Sequence, residues 1–462
     1  MSTGNNEVKL HMFEGGTLKC HLENIKMNQG IGQEYEIPVP WFIVEHPRGL
    51  AVIDGGNAAE CATDPRAHWG AICDVYWPEM TPEQACVPAM KAAGFDPADV
   101  RYLLQSHLHL DHTGLVPFVH PDVPIYYPEQ MEELRAASVA AGYQTWREPP
   151  GHPVADGAQV AVGEMQVEFV TVDHDLPGAS GFLVRTPDLT LAYTGDHRWH
   201  GMHPERTAGF ARRTAGADVL IQEAVGLAQL SHSWPDGGRP PAINGLQSGR
   251  REPTLDEAEL AARFGELLAR TEGLVVVNLY PMNRERVQAF GAACARHGRQ
   301  LLMTPAAARL AGWGGVLVQA ERVRRWPARH CVQLGFLELP TLIDLEPPPG
   351  SVYVHSNGPP LNEHEPAYAV VKAWAEALGL AFVSLGTSGH STPDDLARMI
   401  RLVRPRLVLP VHSRRPELLP AGDTPWLVPA VGRGYSASEL TRAAQSAATA
   451  VHTDPQDNPI AP

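Results

Sequence analysis

Short apolar runs alternate with amphipathic stretches along most of the chain, and this alternation predicts an α/β fold. The runs WFIVEHP and GLAVIDGG have the composition of two paired strands joined by a short turn. The stretch TPEQACVPAMKAAGF predicts one helix, because Thr81 suits an N-cap, Pro82 suits the first turn and Gly94 suits the end. The run VRYLLQSH then predicts a buried strand that carries histidines at its carboxyl end.

The second half of the chain has the pattern of a separate α/β unit. Residues 231–255 are rich in Gly, Pro and Ser and predict a long loop. The helix that follows is expected to begin with a capping box between Thr254 and Glu257. A strand (GLVVVNLY), a second helix and a second strand (QLLMTP) come next and predict a parallel βαβ unit.

Composition and charge narrow the class of protein. The 462 residues are 44% hydrophobic and 19% charged, which is enough for a large core. The start MSTGNNEVKL lacks a signal-peptide pattern and no stretch approaches about 20 apolar residues, so we expect no membrane association and a cytoplasmic location. Six scattered cysteines without a CxxC pair predict reduced thiols. The net charge of -15 argues against a surface broadly coated with nucleic acid, but it allows a local basic channel.

Metal-binding side chains are concentrated in the stretch QSHLHLDHTG, at the end of the predicted strand. His107 and His109 are two residues apart on an extended segment, so their imidazoles point to the same side and can chelate one ion. Asp111 and His112 follow after the chain turns and are placed for a second ion. Four ligand-type residues in this order favour a metal site over a set of unrelated surface side chains.

Three further polar residues each follow an apolar run, as a ligand at a strand end should. They are His174 in TVDHDLPGA, Asp196 in YTGDHRW and His412 in LPVHS. Together with the first cluster they predict a pair of zinc ions, or of other divalent transition metals, about 3.5 to 4 Å apart. Such a pair lowers the pKa of a water molecule toward neutrality and polarises an electrophile, so the chemistry expected is hydrolysis.

The stretch HLHLDHTG resembles the metal signature of the metallo-β-lactamase superfamily, and the later residues fall in that family's order. The resemblance implies an αββα sandwich with a two-metal site at one edge of two packed sheets. It also implies that Asp54 of VIDGG orients the ligands from behind. The implied ligands are His107, His109 and His174 on the first metal, Asp111, His112 and His412 on the second, and Asp196 as the bridge.

Two parts of the chain resemble different branches of this superfamily. From about residue 9 to 113, MNQG and EIPVPWFIVEHPRGLAVIDGG resemble N-acyl homoserine lactonases. From about residue 114 to 440, GLVPFVHPDVPIYY, VDHDLPGASGFLV and AYTGDHRWHG resemble β-CASP nucleases of the ribonuclease J and cleavage-factor type. The expected fold is a metallo-β-lactamase sandwich with an inserted β-CASP-like α/β domain. The expected boundaries are 1–225 for the first part of the sandwich, 226–375 for the insert, 376–440 for the return segment and 441–462 for a flexible tail.

The β-CASP resemblance implies functional residues beyond the metal ligands. Glu223 in VLIQEAV matches motif A, His390 in TSGHSTPDD matches motif B and His412 matches motif C. We expect Asp111, Glu223 and His390 to be catalytic. In this hypothesis His390 donates a proton or stabilises the transition state, and Glu223 holds it.

The sequence features that concern the substrate compare the chain with both branches. The stretch SVYVHSNGPP resembles the phosphate-binding loop of ribonuclease J, so Ser356 is expected to bind substrate. His355 and Asn357 stand where serines are expected, which puts the specificity of that loop in doubt. A lactonase of the resembling type carries a PGHTPGH-like motif and a tyrosine shortly after the bridging aspartate. Neither occurs here, since Tyr193 precedes Asp196.

Three classes of function follow from these patterns. The sequence favours a zinc-dependent phosphodiesterase or ribonuclease that acts on RNA. The alternative is an N-acyl homoserine lactonase that acts on a small lactone through the same metal pair. The third class, a non-catalytic RNA-binding relative, conflicts with the complete set of ligands. A homodimer stays open as an assembly state.

Overall fold

The fold is given by a computed structural model that describes residues 8–26, 30, 32–142, 151–227, 254–317, 319–361 and 365–451. The loop predicted at residues 231–255 lies almost entirely outside these ranges. The strands, in chain order, are β1 (Lys9–His21), β2 (Glu34–His46), β3 (Gly49–Ile53), β4 (Trp77–Glu79), β5 (Val100–Leu104), β6 (Ile125–Pro128), β7 (His152–Val154), β8 (Gln159–Val162), β9 (Met165–Thr171), β10 (Ser180–Arg185), β11 (Thr190–Tyr193), β12 (Val219–Glu223), β13 (Val275–Leu279), β14 (Gln300–Met303), β15 (His330–Gln333), β16 (Val352–Ser356), β17 (Ala381–Ser384), β18 (Leu407–Val411) and β19 (Gly434–Ser436).

Helices connect most of these strands. The α-helices are α1 (Leu22–Ile25), α2 (Pro65–Trp69), α3 (Cys86–Ala92), α4 (Glu132–Ala140), α5 (Pro204–Arg213), α6 (Glu257–Arg270), α7 (Arg284–Arg296), α8 (Pro305–Ala311), α9 (Ala320–Arg325), α10 (Thr341–Leu345), α11 (Pro366–Ala377), α12 (Pro393–Val403) and α13 (Ala437–Val451). Short 3-10 helices lie at Ala59–Ala62, Gly70–Asp74, Pro82–Gln84, Pro97–Asp99, Val116–Phe118, Glu129–Met131, Pro327–Arg329, Phe336–Glu338 and Pro416–Leu418.

Two of the sheets pack face to face. The first has the strand order β19-β1-β2-β3-β5-β6-β7, with β4 paired to β1, and the second has the order β18-β12-β11-β10-β9-β8. Their inner faces share one hydrophobic core that includes Phe42, Leu104, Phe169 and Phe182. Apolar residues of α3 and α4 cover the outer face of the first sheet, and those of α5 and α12 cover the second. This is the predicted αββα sandwich.

A third sheet forms the core of an additional α/β lobe. Its strands are all parallel and have the order β14-β15-β13-β16-β17. Its strands are nearly continuous apolar runs, because helices cover both faces: α6 and α7 on one side, α9, α10 and α11 on the other. The expected extra α/β domain is therefore present. The domain boundaries stay a prediction, and β17 still pairs within this sheet beyond residue 375.

The helix predicted to begin at Thr81 is split in the structure. Gln84 does accept a hydrogen bond from the Thr81 N–H at 2.8 Å, but the turn between them is 3-10 and Ala85 is extended. Helix α3 begins only at Cys86. The physical reason is Pro88, whose ring would clash with the carbonyl of Gln84, four residues earlier, in a continuous helix.

Two other local predictions need correction. The N-cap of α6 is Asp256, which accepts from the Glu259 N–H at 2.6 Å, so the capping box predicted at Thr254 is wrong. Glu257 is buried and accepts hydrogen bonds from Arg198 and Arg286. The predicted start of the tail at residue 441 falls inside α13, which continues as far as Val451, and the flexibility of the segment 441–462 stays a prediction. All six cysteines are buried free thiols, and no helix in the described ranges has the length and apolarity of a membrane span.

Candidate active site

The predicted metal ligands and Asp54 follow the carboxyl ends of strands in both sheets of the sandwich. Asp54 follows β3 and His107 follows β5 in the first sheet. In the second sheet, His174 follows β9, Asp196 follows β11 and His412 follows β18. These strand ends meet at one edge of the sandwich, so residues that are distant in sequence come together there.

The backbone turns sharply at two of these positions and at Gly195, which precedes Asp196. Asp54 has φ 58° and His412 has φ 63°, a left-handed conformation that costs a non-glycine residue on the order of 1 kcal/mol. Gly195 has φ 56°, and a Cβ atom there would lie 2.6 Å from the carbonyl oxygen of Ser180. Each turn aims the next or the same side chain into the cluster, so the chain retains local strain where its ligand-type residues converge.

The first group of ligands consists of three histidines and one aspartate. His107 Nε2 lies 3.1 Å from His109 Nδ1, which lies 3.2 Å from His174 Nε2. Asp196 Oδ2 completes the group at 3.6 Å from His107 Nε2. One ligand atom from each of these side chains lies within 4.8 Å of the others, which is the spacing needed to hold one metal ion.

The second group lies directly beside the first. His112 Nε2 is 3.6 Å from Asp111 Oδ2, and His412 Nε2 is 3.8 Å from the same oxygen. Asp196 Oδ2 is 3.5 Å from both of these histidine nitrogens. The same carboxylate oxygen therefore faces both groups, as the predicted bridging role requires.

Hydrogen bonds on the outer side of the histidines fix their orientation. His112 Nδ1 donates to Asp54 Oδ2 at 2.9 Å, and His174 Nδ1 donates to the carbonyl oxygen of Gly389 at 2.8 Å. His412 Nδ1 donates to the carbonyl oxygen of Pro38. With Nδ1 occupied, each Nε2 presents a lone pair to the cluster. Several lone pairs and carboxylates that converge without donors between them fit a bound cation.

Electrostatics agree with this donor set. Burial lowers the pKa of His107 well below its usual value and that of His174 to about 4, so both imidazoles are neutral and able to coordinate. Burial opposes the charge of Asp196, but His412 and His112 outweigh burial and hold the pKa of this carboxyl well below its usual range. Burial also opposes the charge of His112 and His412, but the carboxylates of Asp111 and Asp196 outweigh it and raise the pKa of both imidazoles. His107 and His174 are thus already in the form that coordinates metal, whereas an ion at the second group would displace protons from its two histidines.

Asp54 lies behind the cluster and is fully buried. Its carboxylate accepts from the N–H and the Oγ of Ser106, both at 2.9 Å, in addition to His112. The Tyr193 hydroxyl donates to the same carboxylate at 3.0 Å. The predicted orienting position is thus occupied, and Tyr193 is committed to Asp54 rather than to the cavity.

His390 and Glu223 come together beside the metal-binding groups. Glu223 ends β12, and His390 lies in the loop before α12, whose Thr392 N-cap accepts from the Asp395 N–H at 3.2 Å. His390 Nδ1 lies 3.8 Å from Glu223 Oε2 and 4.0 Å from Asp196 Oδ2. Burial lowers the pKa of His390, but the carboxylates of Glu223 and Asp196 outweigh burial and raise it to about 9.

Ser356 does not reach the site as predicted. It is fully buried at the end of β16, and it is not among the described residues that line the cavity next to the ligands. Its neighbour Asn357 lines that cavity instead, because a left-handed backbone with φ 60° turns the chain at this point.

Sequence reasoning missed two features of the site. Asp175 Oδ1 lies 3.3 Å from His174 Nε2 and 3.5 Å from His109 Nε2, and its position next to His174 was the available signal. The second feature is a buried ionic network in which Glu257 accepts from Arg198 at 2.9 Å.

This network joins the sandwich to the lobe. Arg286 on α7 donates to Glu257 at 2.9 and 2.6 Å, while Arg198 also donates to Asp173 at 2.8 Å. Asp173 precedes the ligand His174 in the chain. The lobe is therefore connected to the metal-binding groups through fully buried charges.

A cavity of about 150 Å³ opens next to the ligands and His390. Most of its wall is apolar and has two sources. One side comes from the first part of the sandwich, including Leu18, Ile37 and Trp69. The lobe and the segment after it contribute further lining residues, including Tyr280, Met282 and Leu361.

Comparison with known proteins identifies the family. Residues 35–234 match the sequence profile described as the Metallo-beta-lactamase superfamily. The chain is 62% identical over 252 residues to an N-acyl homoserine lactonase AttM from Rhizobium johnstonii, a match covering 51% of this chain and 94% of the relative. The chain belongs to the metallo-β-lactamase superfamily. It is a hydrolase of that superfamily, as its sequence motif predicted.

Other relatives of this metallo-β-lactamase protein confirm the predicted hybrid resemblance. The chain is 24% identical over 367 residues to ribonuclease J from Mycobacterium tuberculosis, which covers 68% of this chain and 58% of the relative. A crystal structure of a protein of unknown function from Enterococcus faecalis has the same fold, with a TM-score of 0.66 and 22% identity over 93% of this chain and all of the other. Lactonases and ribonuclease J are thus both relatives.

Proposed function

We propose that the protein is a zinc-dependent lactonase that hydrolyses N-acyl homoserine lactones or closely related acyl lactones. The observation that carries this proposal is the apolar cavity beside the metal-binding groups, which suits an acyl chain next to a scissile carbonyl. The extensive identity to the AttM lactonase supports the same substrate class. The sequence alone favoured the phosphodiesterase hypothesis, so the geometry and the relatives together shift the preference to its alternative.

The charges at the cavity also favour an uncharged substrate. Arg286 is the only arginine or lysine among the described residues that line the cavity. Both sides of its guanidinium are occupied, since two of its nitrogens donate to Glu257 and a third lies against Asn357. Phosphate recognition needs cations that are available to the phosphate oxygens. Arg286 is paired inside the protein, and His390, whose pKa is raised to about 9 by Glu223 and Asp196, lies 3.8 Å from the Glu223 carboxylate.

The chain's own groups divide the work of lactone hydrolysis. The seven ligand residues and Asp54 fit two zinc ions, which when bound would supply an activated water and polarise the scissile carbonyl. The apolar walls hold the acyl chain and exclude bulk water from the carbonyl. His390, kept beside Glu223, would donate a proton to the ring oxygen as the acyl C–O bond breaks and the hydroxy acid forms. His390 thus takes the role that Tyr193, bonded to Asp54, is not free to play.

The test is a direct assay of zinc-loaded protein on N-hexanoyl homoserine lactone, followed by detection of the ring-opened acid. We expect turnover well above that of the same protein treated with a chelator. Absence of lactone turnover by protein with a full metal content would rule out this function.

Phosphodiester hydrolysis is the second candidate, and three observations support it. The α/β lobe is joined to the sandwich through Glu257, and His390 Nδ1 lies 3.8 Å from Glu223 Oε2, the two residues that match motifs B and A in sequence. The match to ribonuclease J extends over 68% of the chain. A parallel assay on 5'-monophosphorylated RNA separates the candidates, because cleavage of RNA without lactone turnover would select this one.

A further inference from the structure

The two walls of the cavity belong to different parts of the chain. Leu18 on β1, Ile37 on β2 and Trp69 at the end of α2 come from the segment that resembles lactonases. Tyr280 and Met282 line the same cavity from the loop that follows β13 of the lobe. The lobe therefore supplies part of the surface that a bound acyl chain would touch.

Met282 is held in place on the lobe side. It is 2% exposed and packs in one core cluster with Leu108, Leu176 and Leu310. The Tyr280 hydroxyl lies 3.2 Å from Met282 Sδ, within the range of a hydrogen bond to sulfur. Leu108 stands between two histidine ligands in the chain, so Met282 is fixed close to the reacting centre.

We propose that Met282, held by Tyr280, limits the length of acyl chain that the site accepts. This inference rests on the proposed lactonase function and names the substrates within it as short-chain to medium-chain lactones. A cavity of about 150 Å³ is the size that accommodates a benzene-sized group of about six carbons. Each further methylene that is buried raises kcat/KM about fourfold, and a methylene that meets Met282 brings no such gain.

The experiment measures kcat/KM for N-butanoyl to N-dodecanoyl homoserine lactones with zinc-loaded protein. The wild type should gain with chain length up to about six carbons and then lose activity. Met282→Ala should move the optimal acyl chain about two carbons longer and raise the ratio of kcat/KM for the decanoyl lactone to that for the hexanoyl lactone at least about tenfold. Met282→Phe should move the optimum the other way, and this variant keeps the test available if the alanine variant does not fold.

Matched controls separate pocket shape from stability. Met282→Leu conserves volume and should keep the length profile of the wild type. Met399→Ala creates a cavity on the outer side of the second sheet, away from the described lining residues, and should lower the melting temperature without changing the profile. An unchanged profile in both Met282→Ala and Met282→Phe would overturn the inference while leaving the lactonase function intact.

A second readout does not depend on turnover. Binding of saturated fatty acids of four to twelve carbons is measured by calorimetry on the same zinc-loaded proteins. If no lactone is hydrolysed, the proposed function fails, and the calorimetry decides the inference alone. The same shift of preferred length in Met282→Ala would support it, and identical length preferences in both proteins would overturn it.

Discussion

His390 is the residue whose substitution should separate catalysis from metal binding. Its Nδ1 lies 3.8 Å from Glu223 Oε2 and its side chain lines the cavity, but neither group of potential metal ligands includes it. We predict that His390→Ala keeps the metal content of the wild type and lowers kcat about 10²- to 10⁴-fold, the usual contribution of a general acid. Metal analysis of the purified variant and steady-state kinetics on the lactone check both parts.

A histidine outside the site provides the control for that substitution. His120 is highly exposed and pairs only weakly with Asp122 at 3.6 Å. His120→Ala should therefore leave both kcat and metal content unchanged. Wild-type turnover in His390→Ala would contradict the role given to this histidine, and loss of metal in that variant would make it a ligand or a support of one.

The residues that sequence could predict are those whose roles follow from local spacing. The cluster from His107 to His112 is set by an extended segment and a turn, and its geometry follows from the chain itself. Glu257 shows the opposite case, because its two arginine partners lie 59 and 29 residues away. Its position near a helix start suggested a capping box, and only the packing of lobe on sandwich gives it another role.

The first turn of α6 carries this buried charge into the junction between sandwich and lobe. Burial raises the pKa of Glu257, but Arg286 and Arg198 outweigh burial and lower it from 4.5 to about 2. A depressed pKa stabilises the folded state above the unfolded value, and this stability is lost as the pH falls from about 4.5 toward 2. We predict that Glu257→Gln lowers the free energy of unfolding by about 3 kcal/mol at pH 7.

The pH dependence makes that prediction specific. Urea unfolding of wild type and Glu257→Gln is compared at pH 7 and near pH 3, where the difference between the two proteins should shrink as the carboxylate is protonated. Glu259 lies in the same turn and pairs with Arg263 at 2.8 Å on the surface, so Glu259→Gln should change stability little at either pH. A difference for Glu257→Gln that is constant with pH would point to shape rather than charge.

Elements could be predicted from sequence where propensity and packing agree. Strands such as β13 were visible as apolar runs, and Gly, Pro and Ser marked the loop before the lobe. The predicted helix at Thr81 failed because Pro88 restricts the residue four positions earlier, a constraint that the capping signals concealed. The prediction that Ser356 binds substrate failed because a left-handed turn at Asn357 decides which of these two neighbouring side chains lines the cavity.

At the scale of the molecule, metal ions bound by the two groups would connect strand ends of both sheets. The proposed ligands follow β5, β9, β11 and β18, so bound ions would cross-link the two sheets of the sandwich. We predict close to two zinc ions per chain and a melting temperature about 5 to 10 °C lower after chelation, since a ligand at about 1,000 times its Kd stabilises by about 4 kcal/mol. His109→Ala should lower both metal content and the thermal shift.

That metal prediction is checked by metal analysis and calorimetric scans of the same samples. Zinc added back to chelated wild type should restore the melting temperature, while zinc added to His109→Ala should restore it only in part. Equal melting temperatures with and without metal would contradict the cross-linking role of the cluster.

The charge of the whole molecule separates the two candidate substrates through salt. The chain carries a net charge of -15, and the one arginine lining the cavity in the described part of the chain is paired with Glu257. A neutral lactone releases no counterions on binding, so its kcat/KM should change less than about twofold between 50 and 200 mM KCl. An RNA substrate held by several cations would lose affinity steeply over that range of salt concentration, by about 10³-fold or more for six phosphate contacts. Measurement of kcat/KM for the lactone and of RNA binding at both salt concentrations decides between the two substrates. Lactone turnover that is insensitive to salt would support the lactonase. Tight RNA binding that weakens steeply with salt would favour the ribonuclease and would indicate a basic channel outside the cavity.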